Sequence, residues 1–323
     1  MGNNVYGLEK AGVDGQFFAS YEAALPGSLI ESLCFKTTSN HDKETLDWIE
    51  AAPSMEKFTG HLNIKELLGS TYSIKNVEYK AAIEILKRSL RRGGVGAQWQ
   101  VRVSDMARKA AELVQSLMTT SIEAGHTTGG ECYDGQYFFD SDHSTGSSGS
   151  LRNILTSSQY PVLNVATAAS PTPYEMAQAI MTGIGHFYTF KDSNGDPING
   201  GAKNFLVMVP VAGTFWTSAQ QAKVLGLLAN TTSVVQNPVN SLTDFNFTVM
   251  ANPRMTWTTD FAIFRTDGVL KPFILQEEQP LETDMLLEGS DTSFKEGKYL
   301  YKCEWSGGLG YGLWQHAIRL TLN

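Results

Sequence analysis

Thiols are scarce in this chain. Cys34, Cys132 and Cys303 are its only cysteines, odd in number, far apart and never in a Cys-x-x-Cys pair, which excludes a disulfide framework and suggests no thiolate zinc site. That usage points to a reducing cytosol with all three thiols unpaired. No run of 18 apolar residues occurs, and the opening Met1-Gly-Asn-Asn-Val-Tyr-Gly-Leu-Glu-Lys10 has neither region of a signal peptide, so neither a membrane span nor secretion is expected. The Asn-x-Thr sequons at Asn230 and Asn246 mean little without a secretory route. Basic charge is also in deficit. Lys and Arg number 25 against 33 Asp and Glu, a net charge of −8, which argues against a broad basic face that grips nucleic acid but allows a protein that surrounds it.

What is present suits a globular chain: 323 residues, 42% hydrophobic and 11% aromatic, enough for one large or two ordinary domains. The first ~40 residues carry Phe17, Phe18, Tyr21, Leu25, Leu29, Ile30 and Leu33 around Pro26, which predicts one or two short helices leading into an arm. From Tyr72 the period is two, but Tyr72 and Ile74 keep one parity while Val77, Tyr79, Ala81, Ile83 and Ile85 keep the other. That switch predicts a long strand broken or bulged near Asn76. From Trp99 the spacing of Val103, Met106, Ala110, Leu113 and Leu117 predicts one long amphipathic helix ending near Gly125. The stretch from Thr127 to Ser150, rich in Gly, Ser, Asp and Thr, reads as an irregular connection.

A second unit is expected from about Pro171 to Asn252, with a helix starting at Pro173, a turn over Asp192 to Pro197, a buried strand from Phe205 to Val211 and a helix over roughly Ser218 to Ala229. Strands return at Trp257 to Phe264, Val269 to Gln276 and through Tyr299, Tyr301, Cys303 and Trp305. This order predicts an α+β fold without regular β-α-β alternation.

Each chemical motif has a plain structural reading beside the functional one. Asp192-x-Asn194-x-Asp196 matches the start of a calcium loop, but Pro197 stands where glycine is needed and Lys203 where the bidentate glutamate belongs, which leaves an Asx turn. Asp140, Asp142 and His143 could ligate a metal or serve a nucleophile among Ser144, Ser147 and Ser148. Neither a second histidine cluster nor a Gly-x-Ser-x-Gly elbow supports this, and hydrogen bonding of a tight turn is the simpler account. Cys132 has no spacing-defined catalytic partner. Gly93-Gly-Val-Gly96 and Gly308-Leu-Gly-Tyr-Gly312 lack complete phosphate-loop patterns and read as places where backbone bends or approaches a neighbour. Lys87, Arg88, Arg91 and Arg92 form a basic cluster too short for a nucleic-acid platform. They are either a solvated strand end or a salt-bridging contact with another subunit.

Several segments, in order, resemble the major head proteins of Mu-like bacteriophages. Residues 132–143, Cys-Tyr-Asp-Gly-Gln-Tyr-Phe-Phe-Asp-Ser-Asp-His, are similar to that family's most distinctive stretch. Trp48 with Pro53, Tyr72-Ser-Ile74 with Asn76, Lys271-Pro-Phe-Ile-Leu-Gln-Glu277 and Gly310-Tyr-Gly-Leu-Trp-Gln315 resemble further family segments. The resemblance covers about residues 48 to 316, with Glu50 replacing a family glycine.

The resemblance implies the Hong Kong 97-type capsid fold: an N-terminal arm (1–43), an extended β-loop (44–97), a spine helix with the first part of a peripheral domain (98–167), an axial domain (168–250) and the rest of the peripheral domain (251–323). It implies a major capsid protein, not an enzyme, that self-assembles into hexamers and pentamers around double-stranded DNA without reading its sequence. Scaffolding, portal and decoration proteins are candidate partners, with no cofactor, metal or membrane. Assembly is expected in the host cytoplasm and residence in the virion. Because the chain opens at Met1, scaffolding, if needed, is expected from a separate protein. Tyr79, Ile83, Ile85, Lys87, Arg88, Arg91 and Arg92 are the candidate inter-subunit contacts. The basic cluster departs from the type member of the family, which is acidic there, so its partner is not implied. The alternative is a soluble metal-dependent or serine hydrolase using Asp140, Asp142 and His143.

Overall fold

The computed structural model describes residues 2–25, 27–49, 69–92, 98–144, 146–229, 233–237, 239, 244–287 and 290–323. Two sheets carry the fold. One has the order β1-β11-β12-β4: Cys34–Thr38 (β1) runs parallel to Phe273–Leu286 (β11), which pairs antiparallel with Lys298–Tyr311 (β12), which pairs antiparallel with Val77–Leu86 (β4). The other has the order β5-β13-β10-β6-β9, built from Ile154–Leu155 (β5), Ala317–Thr321 (β13), Asp260–Arg265 (β10), Asn204–Pro210 (β6) and Asn246–Asn252 (β9). Two of its strands therefore come from beyond residue 250. Two small antiparallel pairs complete the strands: Lys43–Ile49 (β2) with Gly69–Lys75 (β3), and Leu227–Ala229 (β7) with Val234–Gln236 (β8). The mixture is α+β, as the sequence predicts.

The parity switch is real. β3 stops at Lys75 and β4 starts at Val77, with Asn76 buried between them. Its Nδ2 donates to the His41 carbonyl (2.7 Å) and its Oδ1 accepts from Gln276 Nε2 (2.8 Å), so this buried amide is tied at both ends where the chain changes partner. The long helix is also present, as Gln98–Ala111 (α4) and Leu113–Ala124 (α5). Glu112 interrupts it only locally, because backbone bonds Glu112 N to Arg108 O and Ser116 N to Glu112 O carry the ladder across.

The N-terminal segment differs from expectation. Gly2–Ala24 (α1) is a 23-residue helix, not a short one, and Gly27–Leu33 (α2) follows it. Val13 and Phe17 of α1 are fully buried against Val103, Met106 and Ala107 of α4 and against Ile85, Met285, Tyr299 and Tyr301 of the first sheet, forming a second core. Burial of one helical face stabilises what propensity alone leaves marginal.

The main core lies around the five-stranded sheet. Pro173–Phe187 (α6) starts at a full capping box: Thr172 Oγ1 accepts from Glu175 N, Glu175 Oε2 accepts from Thr172 N at 2.7 Å, and Pro173 occupies the first turn. Its Met176, Ala177, Ile180, Ile184 and Phe187 are buried. From Phe205 to Pro210, β6 is buried on both faces, which explains its unbroken apolar run. The helix expected over 218–229 is shorter and earlier, Phe215–Val224 (α7), because its last residues form β7. Strand β10 starts later than expected, at Asp260, and β11 runs on to Leu286. Its turn into β12 contains Asp291–Glu296 (α8), while Lys87–Arg92 forms another short helix (α3).

His316 adds a pH dependence. Burial and the nearby Arg265 guanidinium lower its pKa to about 4, while its Nδ1 lies 3.0 Å from the Leu270 carbonyl. The unfolded imidazole titrates near 6.5, so between pH ~6.5 and ~4 the unfolded chain binds more protons and acidification costs stability. The expected loss is on the order of 3 kcal/mol at most, with His126 and His186 shifted the same way. Unfolding free energies across that range should decrease as the pH is lowered, and His316→Asn, which keeps a donor toward Leu270, should flatten the slope. An unchanged slope would exclude His316 as its source.

Candidate functional site

The segments that carry the family resemblance lie far apart in sequence and meet in one place. Phe138 stacks on Tyr311 with ring centroids 4.8 Å apart and lies 5.2 Å from Phe273. Tyr133 donates its hydroxyl to Gln315 Oε1 at 3.0 Å, and Tyr72 Oη accepts from Tyr311 N at 3.1 Å. Asn153, fully buried, donates to the Phe138 and Trp314 carbonyls. Segments 72–76, 132–143, 271–277 and 310–315 thus form a single buried knot that joins the base of the β2–β3 hairpin to both sheets. The side chains of Trp48 and Pro53 lie outside the described residues.

Within the knot is a hydrogen-bonded relay. Cys132 Sγ donates to Asp134 Oδ1 (2.9 Å), Asp134 Oδ2 lies 2.7 Å from His143 Nδ1, and the imidazole stacks flat on Trp314 at 4.0 Å. His143 is fully buried, and its Nε2 has no hydrogen-bond partner among the described residues. Burial pushes the Asp134 carboxyl up, but His143 and the Cys132 thiol outweigh it and hold the pKa below its ordinary value. Burial, reinforced by Asp134, pushes the Cys132 thiol far up, so it is not a nucleophile at neutral pH. Burial also raises Cys303, and it lifts Cys34 to about 12. All three are buried free thiols. Cys132, Asp134 and His143 are the one group among the described residues whose ligand atoms cluster closely enough for a metal, within 4.8 Å. Their contacts of 2.7 and 2.9 Å are hydrogen-bond spacings, tighter than the roughly 3.3 Å that separates ligands of one tetrahedral ion.

The hydrolase alternative fails on this geometry. His143 turns to Asp134, not to Asp140 or Asp142, and is sealed from solvent. Asp140 accepts from the amides of Tyr137 and Ser141, as a turn residue does, and its proximity raises the pKa of Asp142 through a shared hydrogen bond and charge repulsion. Ser148 donates to the Gly149 carbonyl. Asp134 was missed because its separation from His143 in sequence matches no catalytic spacing. Only the turn at Gly135 (φ +80°), where Asp134 Oδ1 also accepts from Gln136 N, brings it round.

The remaining motifs are structural. Asp192 Oδ1 accepts from the amides of Asn194 and Asp196, an Asx turn. At Gly308 an added Cβ would sit 2.6 Å from the Lys75 carbonyl oxygen, and at Gly310 it would sit 2.5 Å from Ile74 Cδ1, so these glycines let β12 and β3 touch. Gly93 to Gly96 lie outside the described residues.

The expected inter-subunit residues separate into two sets. Tyr79 and Ile83 are half-buried, Tyr79 against Trp305 with centroids 5.8 Å apart. Ile85 is only 1% exposed and belongs to the chain's own second core, which corrects its assignment as a contact: β4 pairs with β12, and α1 covers that face. The basic cluster sits on α3 rather than on a strand end. Lys87 is half-buried with Nζ 5.4 Å from the centre of the Tyr299 ring, and Arg88 is exposed. The side chains of Arg91 and Arg92 lie outside the described ones.

Comparison with known proteins agrees with this geometry. Over 121 residues, 38% of this chain and 37% of the relative, the chain is 29% identical to the Mu-like prophage FluMu major head subunit of Haemophilus influenzae. Over 135 residues, 40% of this chain and 43% of the relative, it is 25% identical to the major capsid protein of Escherichia phage Mu. The matches thus span about two fifths of each of these relatives. A subunit of the procapsid of bacteriophage JBD30 superposes over 100% of this chain and 76% of its own, with TM-score 0.52 and 16% identity. The fold is that of tailed-phage capsid proteins, the Hong Kong 97 type. The model of the Mu-like prophage major head subunit gpT matches residues 9–176 and 235–322, which include every segment of the buried knot, and the chain belongs to that family.

Proposed function

We propose that this chain is a major capsid protein whose copies tile as hexamers and pentamers into a closed icosahedral shell around double-stranded DNA, and that it is a component of the virion assembled in the host cytoplasm. The observation that carries this reading is the buried knot, in which the family's segments hold the β2–β3 hairpin against the body of a capsid fold. In this reading residues 1–43 are the arm, 44–97 the extended loop, 98–167 and 251–323 the two parts of the peripheral domain with the spine helix in the first, and 168–250 the axial domain. The net charge of −8 suits a shell that encloses DNA without adhering to it. Scaffolding, portal and decoration proteins would join from outside this chain. Electron microscopy and sedimentation of the purified chain test the reading: shells or capsomers are expected, and a small closed oligomer under every condition would overturn it.

The basic cluster is a proposed contact in that assembly. Arg88 lies three and four residues from Arg91 and Arg92 along α3, a spacing at which like charges disfavour one another, and an acidic patch on a neighbour would complement them. Asp284 is such a group, exposed, with Oδ1 accepting from Met285 N at 2.8 Å and lying 3.8 Å from Lys10 Nζ. An exposed ion pair contributes only about 0.2–1 kcal/mol, but a shell repeats it at every subunit. Arg88→Glu with Arg91→Glu is expected to leave circular dichroism unchanged while abolishing particles or making their yield strongly salt-dependent. Wild-type yield at low salt would remove the cluster from assembly.

A further inference from the structure

Five places in the chain put glycine directly after aspartate or asparagine: Asp14-Gly15, Asp134-Gly135, Asn194-Gly195, Asn199-Gly200 and Asp267-Gly268. Glycine carries no Cβ, so nothing shields its main-chain nitrogen from the side-chain carbonyl carbon of the residue before it. By sequence all five are open to cyclisation. The fold separates them.

An ionised carboxylate is a poor electrophile, and three of the five are carboxylates held by donors. Asp14 Oδ1 accepts from the hydroxyls of Thr283 and Tyr301, each at 2.9 Å. Burial opposes ionisation of Asp134 and Asp267, but His143 and the Cys132 thiol outweigh it at the first, and Arg265 with the amides of Lys203 and Asn204 at the second. Both carboxyls therefore stay below their ordinary pKa. Asn199 is an amide and a better electrophile, but it is fully buried and held at both side-chain polar atoms. Its Nδ2 donates to the carbonyls of Phe187 (3.1 Å) and Gln315 (2.8 Å), and its Oδ1 accepts from Arg265 Nη1 (2.9 Å). The amide carbon reaches Gly200 N only if that packing opens.

Asn194 is placed differently. It is half-buried in the turn over Asp192 to Pro197, whose Asp196 and Pro197 are exposed. Gly195 has φ +90°, and an added Cβ there would meet only Ser147 O, at 3.6 Å. The turn closes through its own short-range bonds, Gly195 N to Asp192 O (3.0 Å) and Asp192 N to Asp196 O (2.8 Å), which open without disturbing a core.

We propose that Asn194 is the site at which the native chain deamidates and forms isoaspartate. As Gly195 N gives up its proton and attacks Asn194 Cγ, the N–Cγ bond forms, the Cγ–Nδ2 bond breaks and ammonia leaves carrying that proton. Water then opens the ring at either carbonyl, giving aspartate or isoaspartate; the sum is asparagine plus water going to a carboxylic acid plus ammonia. Each event adds one carboxylate, takes that copy from −8 to −9 and crowds Asp192 and Asp196 with a third like charge. Isoaspartate also lengthens the main chain by one carbon in a turn that is docked. Ser147 N donates to Ser193 O at 2.8 Å, and an added Cβ at Gly146 would lie 2.5 Å from that oxygen. The lengthened turn is expected to part from residues 146–147. Isoaspartate is the substrate class of methyltransferases that esterify abnormal carboxyls from S-adenosylmethionine.

The test holds the full-length native chain in warm, mildly alkaline heavy-oxygen water and maps its peptides by mass spectrometry. Label is expected at residue 194 roughly tenfold faster, or more, than at residue 199, and at similar rates at both once the chain is unfolded in urea. Methyl acceptance from an isoaspartyl methyltransferase should rise with the label and lose most of its value in Asn194→Gln, whose longer side chain cyclises poorly. Equal native rates at 194 and 199, or undiminished methyl acceptance in Asn194→Gln, would overturn the assignment. So would an Asn194 that reacts in urea and stays intact in the native chain.

Discussion

Replacing Asp134 with alanine is expected to destabilise the subunit by roughly 2–5 kcal/mol, about 1–3 kcal/mol for each of the two buried groups that lose their hydrogen-bond partner. The carboxylate bonds the Cys132 thiol and His143 Nδ1 at once, and its side chain is 2% exposed, so its loss leaves two buried polar groups without that partner. His143 already has Nε2 unpaired, which makes Nδ1 its one hydrogen-bonded ring nitrogen. Asp134→Asn keeps an acceptor and should lose less. Asp140→Asn and Asp142→Asn, at the edge of the same turn, are expected to stay within about 0.5 kcal/mol because their groups reach solvent. The sign with pH follows from the depressed folded pKa of Asp134: its contribution is fully present above the unfolded value near 3.9 and is lost as pH falls through the lower folded value. Chemical denaturation of dissociated subunits checks the series. An alanine variant as stable as wild type would mean the relay is not what holds the knot.

Gly308→Ala is expected to cost about 1–3 kcal/mol and to loosen the β2–β3 hairpin from the body of the subunit. The added methyl would lie 2.6 Å from a main-chain oxygen, Lys75 O, and 2.8 Å from Ile74 Cγ2, and a main-chain oxygen cannot rotate aside as a side-chain tip can. Gly310→Ala should be milder, since its nearest atom is the flexible end of Ile74. Gly12→Ala provides the opposite control: it lies within α1 with nothing within 4 Å of its added Cβ, so helix propensity should make it stabilising by about 0.5–1 kcal/mol. Limited proteolysis of the hairpin and particle yield separate the cases. Gly308→Ala with wild-type proteolysis and stability would show that β12 and β3 tolerate a wider spacing than their contact implies.

Local pattern was enough for features whose cause is local. The break at Asn76, the helical run from Trp99, the helix start at Pro173 and the Asx turn at Asp192 each follow from a few adjacent residues, and each is where the sequence places it. Tertiary structure decided the rest. The pairing of His143 with Asp134 instead of Asp140 depends on a turn at Gly135. The burial of Ile85 depends on α1 returning from over 60 residues earlier in the chain to cover its sheet. The glycines of 308–312 were legible as a close approach, but that β3 is what they approach follows only from strand pairing. Sequence alone determined the local elements, the absence of a complete catalytic motif and the resemblance to capsid subunits. Which distant side chains share a buried space was settled by long-range packing, because burial depends on what the rest of the chain brings alongside.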